Sequence, residues 1–291
     1  MSDNSCLVVE GGAMRGVFAA GVLDAFMDQG YKPFDFAIGV SAGASNLLGY
    51  LADAPERSFK VISDLATSKR FFDTARFIRG GNLMDVRWLS EESLARYPID
   101  LDKLSDSFPL YATTTNIVSG AADYFQITAE NVVEVTEATT ALPIAYKSTP
   151  CFSGGCYTDG GVADSIPVRE AYRRGARDIT VILSHPLSYN MAKTKSPWLL
   201  KTLFAKHPNV AQAMLSRAEN YNQSLEFLRN PPADAKVRVI APPENFPVKR
   251  LTRKRNLLEQ GYEMGKKAGI QHVKNRRGEI QYHSEECHFC V

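Results

Sequence analysis

The sequence predicts an α/β fold built on a mostly parallel central sheet. Two observations carry that prediction. Residues 6–51 alternate strand, helix, strand and helix, a pattern that requires a right-handed parallel crossover. Each of these strands also runs straight into a glycine-punctuated turn, at the strand end where parallel sheets gather ligand groups.

Residues 6–10 form an apolar run short enough for a buried strand, and 11–16 form a glycine-rich turn. Residues 17–29 space their apolar side chains as a helix does, and Gly30 ends it. A second strand is expected at 34–40 and a second helix at 42–51. Residues 53–100 loosen into charged helical pieces and read as a cap insertion, with Phe71, Phe72, Phe77 and Trp88 assigned to ordinary core rather than to a lipid-facing rim.

Strands are expected at 110–118 and 123–127, then a helix at 131–142 halted by Pro143. Residues 151–158 read as a hairpin around Gly154-Gly155 that delivers the chain to Asp159. Beyond it come a helix at 167–174, a strand at 178–184, a mostly helical stretch at 196–228, a late strand at 236–240 and an amphipathic helix at 256–274. One domain, 1–291, is expected: a core at about 6–185, the cap at about 53–100, and a mainly helical C-terminal extension at 186–291.

Composition excludes several classes. With 291 residues and 44% hydrophobic, the chain can bury a large core, and a net charge of +2 is too small to mark a nucleic-acid binder. The N-terminus lacks a secretory signal pattern, and no stretch of about 18 uncharged apolar residues exists, so any membrane contact is expected to be peripheral, at the inner face. Five cysteines at irregular spacing (Cys6, Cys151, Cys156, Cys287 and Cys290) read as reduced thiols, which points to a cytoplasmic location. The terminal His283, Cys287, His288 and Cys290 lack the second half of a zinc site and read as a frayed polar tail, so no metal is expected. The basic stretches 249–255 and 274–277 read as solvated faces.

Ser41 lies in Gly39-Val40-Ser41-Ala42-Gly43, after a strand and before a helix. That is the layout of a nucleophile elbow, in which Gly39 and Gly43 allow the sharp turn that exposes the hydroxyl. A serine needs a base and donors for the oxyanion it creates. An α/β-hydrolase order does not fit, because only one strand and one helix precede the elbow strand. Of the five histidines only His185 follows a strand, and it reads as a surface or capping imidazole. Asp159, before Gly160-Gly161, is the better base. A dinucleotide site is set aside because Asp35 precedes its strand instead of following it.

These motifs, taken in order, resemble the patatin-like phospholipase family: Gly11-Gly12-Ala13-Met14-Arg15-Gly16, the serine elbow, Leu142-Pro143-Ile144, and Tyr157-Thr158-Asp159-Gly160-Gly161 followed by Ile166-Pro167-Val168. The resemblance spans roughly residues 6–185. It implies a three-layer α/β/α fold and hydrolysis of lipid acyl esters of the phospholipase A or lysophospholipase type, by a Ser41–Asp159 dyad that uses no metal or cofactor. The amides of 11–16 would form the oxyanion hole, with Arg15 drawing a phosphate headgroup or fixing the loop. Ala13 departs from the family's third glycine. It keeps its N–H donor but resists positive φ, so a narrower hole is expected. The alternatives on the same motifs are an acyltransferase or thioesterase, or a non-catalytic membrane-docking protein.

Overall fold

The computed structural model describes residues 4–278. Strand β1 (Asn4–Val9) leads through a 3-10 turn, Ala13–Arg15, into α1 (Gly16–Asp28), and β2 (Phe36–Val40) leads at once into α2 (Ala42–Leu51). The insertion carries α3 (Arg57–Lys60), a π-helical turn at Val61–Leu65, α4 (Thr74–Ile78) and α5 (Val86–Arg96), and α6 (Leu101–Asp106) follows. Asp73, Asp85 and Asp100 accept hydrogen bonds from first-turn amides of α4, α5 and α6, which is why these short helices start where they do.

Next come β3 (Leu110–Asn116), β4 (Ala122–Gln126), α7 (Val132–Thr140), β5 (Cys151–Phe152), β6 (Gly155–Asp159), α8 (Val168–Arg173) and β7 (Ala176–Ile182). The C-terminal part adds α9 (Pro197–Leu203), α10 (Pro208–Arg229), β8 (Lys236–Ile240) and α11 (Arg255–Arg276). The stretch expected to be mostly helical at 196–228 is two helices, broken before Pro208, which lacks the N–H needed to continue the first.

The sheet runs β5-β6-β3-β2-β1-β7-β8, with β4 also on β3. The pairs β1–β2, β1–β7, β2–β3 and β7–β8 are parallel, and those of β3 with β4 and β6 are antiparallel. Strand alternation sends Leu7, Val9 and Ala37 to one face, against Phe18, Phe26, Leu47 and Val135. It sends Cys6, Val8 and Ile38 to the other, against Ala171, Tyr221 and Leu225. The result is helix, sheet, helix.

The C-terminal part is built into these layers. β8 extends the sheet beyond β7. α11 lies directly on α1: a Cβ at Gly265 would collide with the carbonyl oxygen of Phe18, so only glycine allows this approach.

Two expectations need correction. Cys151 and Cys156 are joined in a disulfide, not reduced. The β5–β6 register places them directly opposite each other, with Cα atoms 4.0 Å apart, a proximity that irregular sequence spacing hides. Their pairing removes a premise of the cytoplasmic reading, and Cys6 is a free, buried thiol. The cap aromatics are not fully buried core. Phe71, Phe72, Phe77 and Trp88 are all half-buried, although Phe71 and Phe72 do pack against the buried Met84, Val86, Ala141 and Tyr146 cluster. Among the described residues no helix is long and apolar enough to cross a membrane. The terminal His/Cys cluster lies outside the described residues.

Candidate active site

Sheet register brings Ser41 and Asp159 together. β4 pairs with residues 111–115 of β3 and so occupies one edge of that strand. On the other edge β2 pairs only as far as Val40 opposite Thr113, and β6 takes over with Asp159 opposite Thr114. Since β6 runs antiparallel to β3, the C-terminal ends of β2 and β6 meet head to head. The next residue after Val40 is Ser41.

Ser41 has φ 53° and ψ −124°, a strained conformation for a residue with a side chain. It precedes α2, yet its side chain makes no capping hydrogen bond. That disposes of a plain helix cap as its role. A Cβ at Gly43 would strike the carbonyl oxygen of Val9, so glycine lets the elbow press onto the end of β1. The Ser41 amide donates to Thr139 Oγ1 at 2.9 Å, and that hydroxyl donates to the Thr113 carbonyl at 2.6 Å, pinning the elbow to β3 through α7.

Asp159 is buried. Its backbone carbonyl accepts from Thr115 Oγ1 at 2.8 Å, and its Oδ1 accepts from the Gly161 amide at 2.8 Å. Oδ2 has no hydrogen bond of good geometry among the described residues. Burial pushes the carboxyl above its usual range, and the Ser41 hydroxyl is the foremost influence pulling it back down. The pair is therefore poised rather than tightly bonded, as nucleophile–base pairs often are before substrate arrives.

The 11–16 loop crosses in front of this pair. Among the described residues the amides of Gly11, Gly12 and Ala13 donate to no protein acceptor, so they are available to an anion. Ala13 does take a positive φ, 49°, against expectation, because the loop must turn into the 3-10 segment at that residue. The loop is anchored from behind by Glu10, whose carboxylate accepts from the Ser184 amide at 2.6 Å and from the Tyr221 hydroxyl at 3.0 Å. Burial holds the Glu10 pKa up, and Arg15 opposes this.

Two cavities meet at Ser41. One, about 310 Å³, is apolar and runs beneath the cap, lined by Met14, Leu48, Ile62, Phe71, Met84 and Leu142 among others. The second, about 30 Å³, is polar; it joins the 11–13 backbone to Asp159 and to Arg15, Arg217 and Arg250.

Of the residues expected from sequence, Gly11, Gly12, Ala13, Arg15, Ser41, Asp159 and Gly161 line the polar pocket. Gly16, Gly39, Gly43 and Gly160 do not line it and shape the backbone around it. His185 is also outside both cavities. It stacks on Tyr189 at 3.8 Å between ring centroids, and burial with nearby Arg15 lowers its pKa to about 4, so at neutral pH it is an uncharged packing residue. Sequence reasoning missed Glu10, Thr139, Thr115, Arg217 and Arg250. The run Thr113-Thr114-Thr115 in a buried strand was the one available signal, because buried hydroxyls need partners.

Comparison with known proteins identifies the family and the fold. A profile described as patatin-like phospholipase matches residues 7–172, more than half of the chain. The chain belongs to the patatin-like phospholipase family. It is a lipid acyl hydrolase. This patatin-like chain also matches, over residues 207–277, a second profile described as a domain of unknown function (DUF6363). It is 34% identical over 271 residues to an uncharacterised protein, YjjU, of Escherichia coli strain K12, covering 90% of this chain and 75% of that one. VipD from Legionella pneumophila shares the fold at a TM-score of 0.54 and 13% identity, over 94% of this chain and 67% of VipD.

Proposed function

We propose that this chain hydrolyses lipid acyl esters through an acyl-enzyme on Ser41, with Asp159 as the general base. The observation that carries the proposal is a buried aspartate with one oxygen left without a hydrogen-bond partner, sharing a pocket with a strained serine where an apolar cavity opens. Ser41 Oγ attacks the acyl carbonyl carbon while Asp159 takes its proton. The oxyanion is stabilised by the free amides of 11–13. Collapse breaks the ester C–O bond, Asp159 returns the proton to the leaving alcohol, and the acyl group stays on Ser41. Water, deprotonated by Asp159, then releases the fatty acid and restores the serine.

The large cavity has room for an acyl chain, and its mouth reaches the surface at Leu251, which is 56% exposed among basic neighbours Lys249, Arg250 and Arg253. Peripheral contact with a lipid surface at this mouth is part of the proposal. Purified protein with a p-nitrophenyl acyl ester tests the chemistry. Ser41→Ala and Asp159→Asn are each expected to lower turnover by about two to four decades, and a fluorophosphonate should label wild type at Ser41 but not the alanine variant. Undiminished turnover in either variant removes its residue from the mechanism.

A further inference from the structure

The large cavity is apolar along most of its wall, yet a buried cation lines it as well. Arg57, the first residue of α3, is 5% exposed and lines this cavity together with Ser58, Ser90 and Ser93. Burial lowers its pKa only to about 10, so the guanidinium is charged at neutral pH. No salt bridge joins it to a carboxylate among the described residues. A charge held in a low-dielectric wall without a counter-charge is costly, and taking up an anion lowers that cost.

Neutral groups hold one side of the guanidinium. Nε donates to the Tyr97 carbonyl at 2.7 Å, and Nη2 donates to the Ser93 carbonyl at 3.3 Å and to Ser93 Oγ at 3.5 Å. Both carbonyls belong to the C-terminal end of α5, where a cation complements the helix dipole. That tie uses two of the three nitrogens. Nη1 has no hydrogen-bond partner among the described residues, and it is not one of the side-chain atoms sealed from open space. The Ser90 carbonyl accepts from Ser93 Oγ at 2.9 Å, while the hydroxyl of Ser90 makes no hydrogen bond among the described residues and is likewise not sealed off. One N–H fork and one hydroxyl are therefore free in the wall of an otherwise apolar cavity.

Position narrows what they can meet. Ser41 precedes the first turn of α2, whereas Arg57 packs beside the last: a Cβ at Gly49 would lie 3.8 Å from Arg57 Cβ, and Ser58 Oγ donates to the Asn46 carbonyl at 3.4 Å. Eight residues of helix separate Ser41 from Gly49, about 12 Å along the axis. An acyl group on Ser41 that runs along α2 past Leu48 ends against Arg57. A methyl terminus there leaves Nη1 and the Ser90 hydroxyl unpaired in a space emptied of water. A neutral oxygen pairs the donors but not the charge. A carboxylate does both.

We propose that Arg57 and Ser90 form a subsite for a carboxylate at the far end of the acyl chain, so that the preferred acyl groups are those of dicarboxylic acids. The proposal rests on the Ser41–Asp159 reading for which bond is cleaved, and on the cavity alone for whether the carboxylate binds.

The p-nitrophenyl half-esters of octanedioic, decanedioic and dodecanedioic acid, compared with p-nitrophenyl octanoate, decanoate and dodecanoate at neutral pH and below aggregation, test it. At the best-fitting length wild type is expected to favour the carboxylate by at least about tenfold in kcat/KM, Arg57→Gln to cut that ratio about 100-fold, and Ser90→Ala to cut it about fivefold. Reading the ratio within one sample cancels loss of folded protein, and Arg57→Lys, which keeps the charge, should keep part of the preference. An Arg57 that only caps α5 would lower both members of each pair alike, so an unchanged ratio in Arg57→Gln overturns the subsite. Equal or greater kcat/KM for the methyl-terminated ester at every length in wild type overturns it too. Methylating the free carboxylate separates charge from oxygen: turnover as fast as that of the unmethylated half-ester would mark a site for a neutral acceptor and end the carboxylate assignment. Should no ester turn over and no fluorophosphonate label Ser41, the dyad reading has failed instead. Calorimetric titration with monomethyl decanedioate against methyl decanoate then decides the subsite alone: tighter binding of the carboxylate by at least about tenfold, lost in Arg57→Gln, upholds it, and equal binding of the two ends it.

Discussion

The two cavities that share Ser41 are opposites. Beneath the cap lies a broad apolar space walled mostly by the N-terminal core and the insertion, with Arg250, Leu251 and Arg253 at its mouth; beside the oxyanion loop lies a pocket a tenth its size, walled by backbone amides and charge, with two of its three arginines from the C-terminal segment. An acyl chain gains by leaving water, at roughly 0.8 kcal/mol per methylene, and asks only for room. A charged group gains only from fixed partners at the right distance. One ester placed across Ser41 would use both, and the contrast predicts which substitutions affect which half of it.

Filling the apolar side should have the largest effect. Ala66→Trp puts an indole into the cavity, and the kcat/KM ratio of palmitoyl to butyryl p-nitrophenyl esters is expected to fall about 100-fold. An unaltered chain-length profile would mean that the acyl chain lies elsewhere, and the division of labour between the cavities would be lost. Next is the hinge between them. Thr139→Val leaves the Ser41 amide and the Thr113 carbonyl without their shared hydroxyl, at a cost of about 1–3 kcal/mol in stability and about tenfold in kcat, read by melting and by turnover of one short ester.

The polar side should reveal itself through pH. Burial raises the Asp159 carboxyl, so the base appears only as pH climbs past that raised value, and kcat/KM should rise on the acid side with a midpoint above the usual 3.8. The same shift has a thermodynamic sign. A carboxyl whose folded pKa lies above its unfolded value stabilises the fold below the unfolded pKa and loses that contribution as pH rises through the folded one. Asp159→Asn is therefore expected to melt higher than wild type at pH 7 while losing activity, and an acid midpoint at or below the ordinary value would contradict both. The smallest effect belongs to Ala13→Gly. It removes left-handed strain of about 1 kcal/mol, partly offset by the freedom glycine adds to the unfolded chain, for a net gain of about half a kcal/mol in denaturant titration.

Much of this was legible because it is local. A strand that turns sharply at Gly39-Val40-Ser41-Ala42-Gly43 needs its glycines within a few residues of the serine, and the 11–16 loop needs its amides consecutive. Motif order along the chain then identified the family. The cap aromatics misled because half-burial under short helices leaves no periodic trace, and the Cys151–Cys156 pair because opposition in a hairpin depends on the turn register, not on the count of cysteines.

By itself the amino-acid order determined the parallel α/β class, the serine in its elbow and the aspartate before its glycines, since each follows from a few neighbouring residues and their backbone preferences. Only the tertiary structure decided that β2 and β6 end head to head on one edge of β3, that Thr139 and Glu10 hold the two loops, and that Arg217 and Arg250 return from the far end of the chain to the serine's pocket. Those are contacts between residues dozens to more than two hundred positions apart. They are specified by sheet register and layer packing, which emerge from burying the whole core at once.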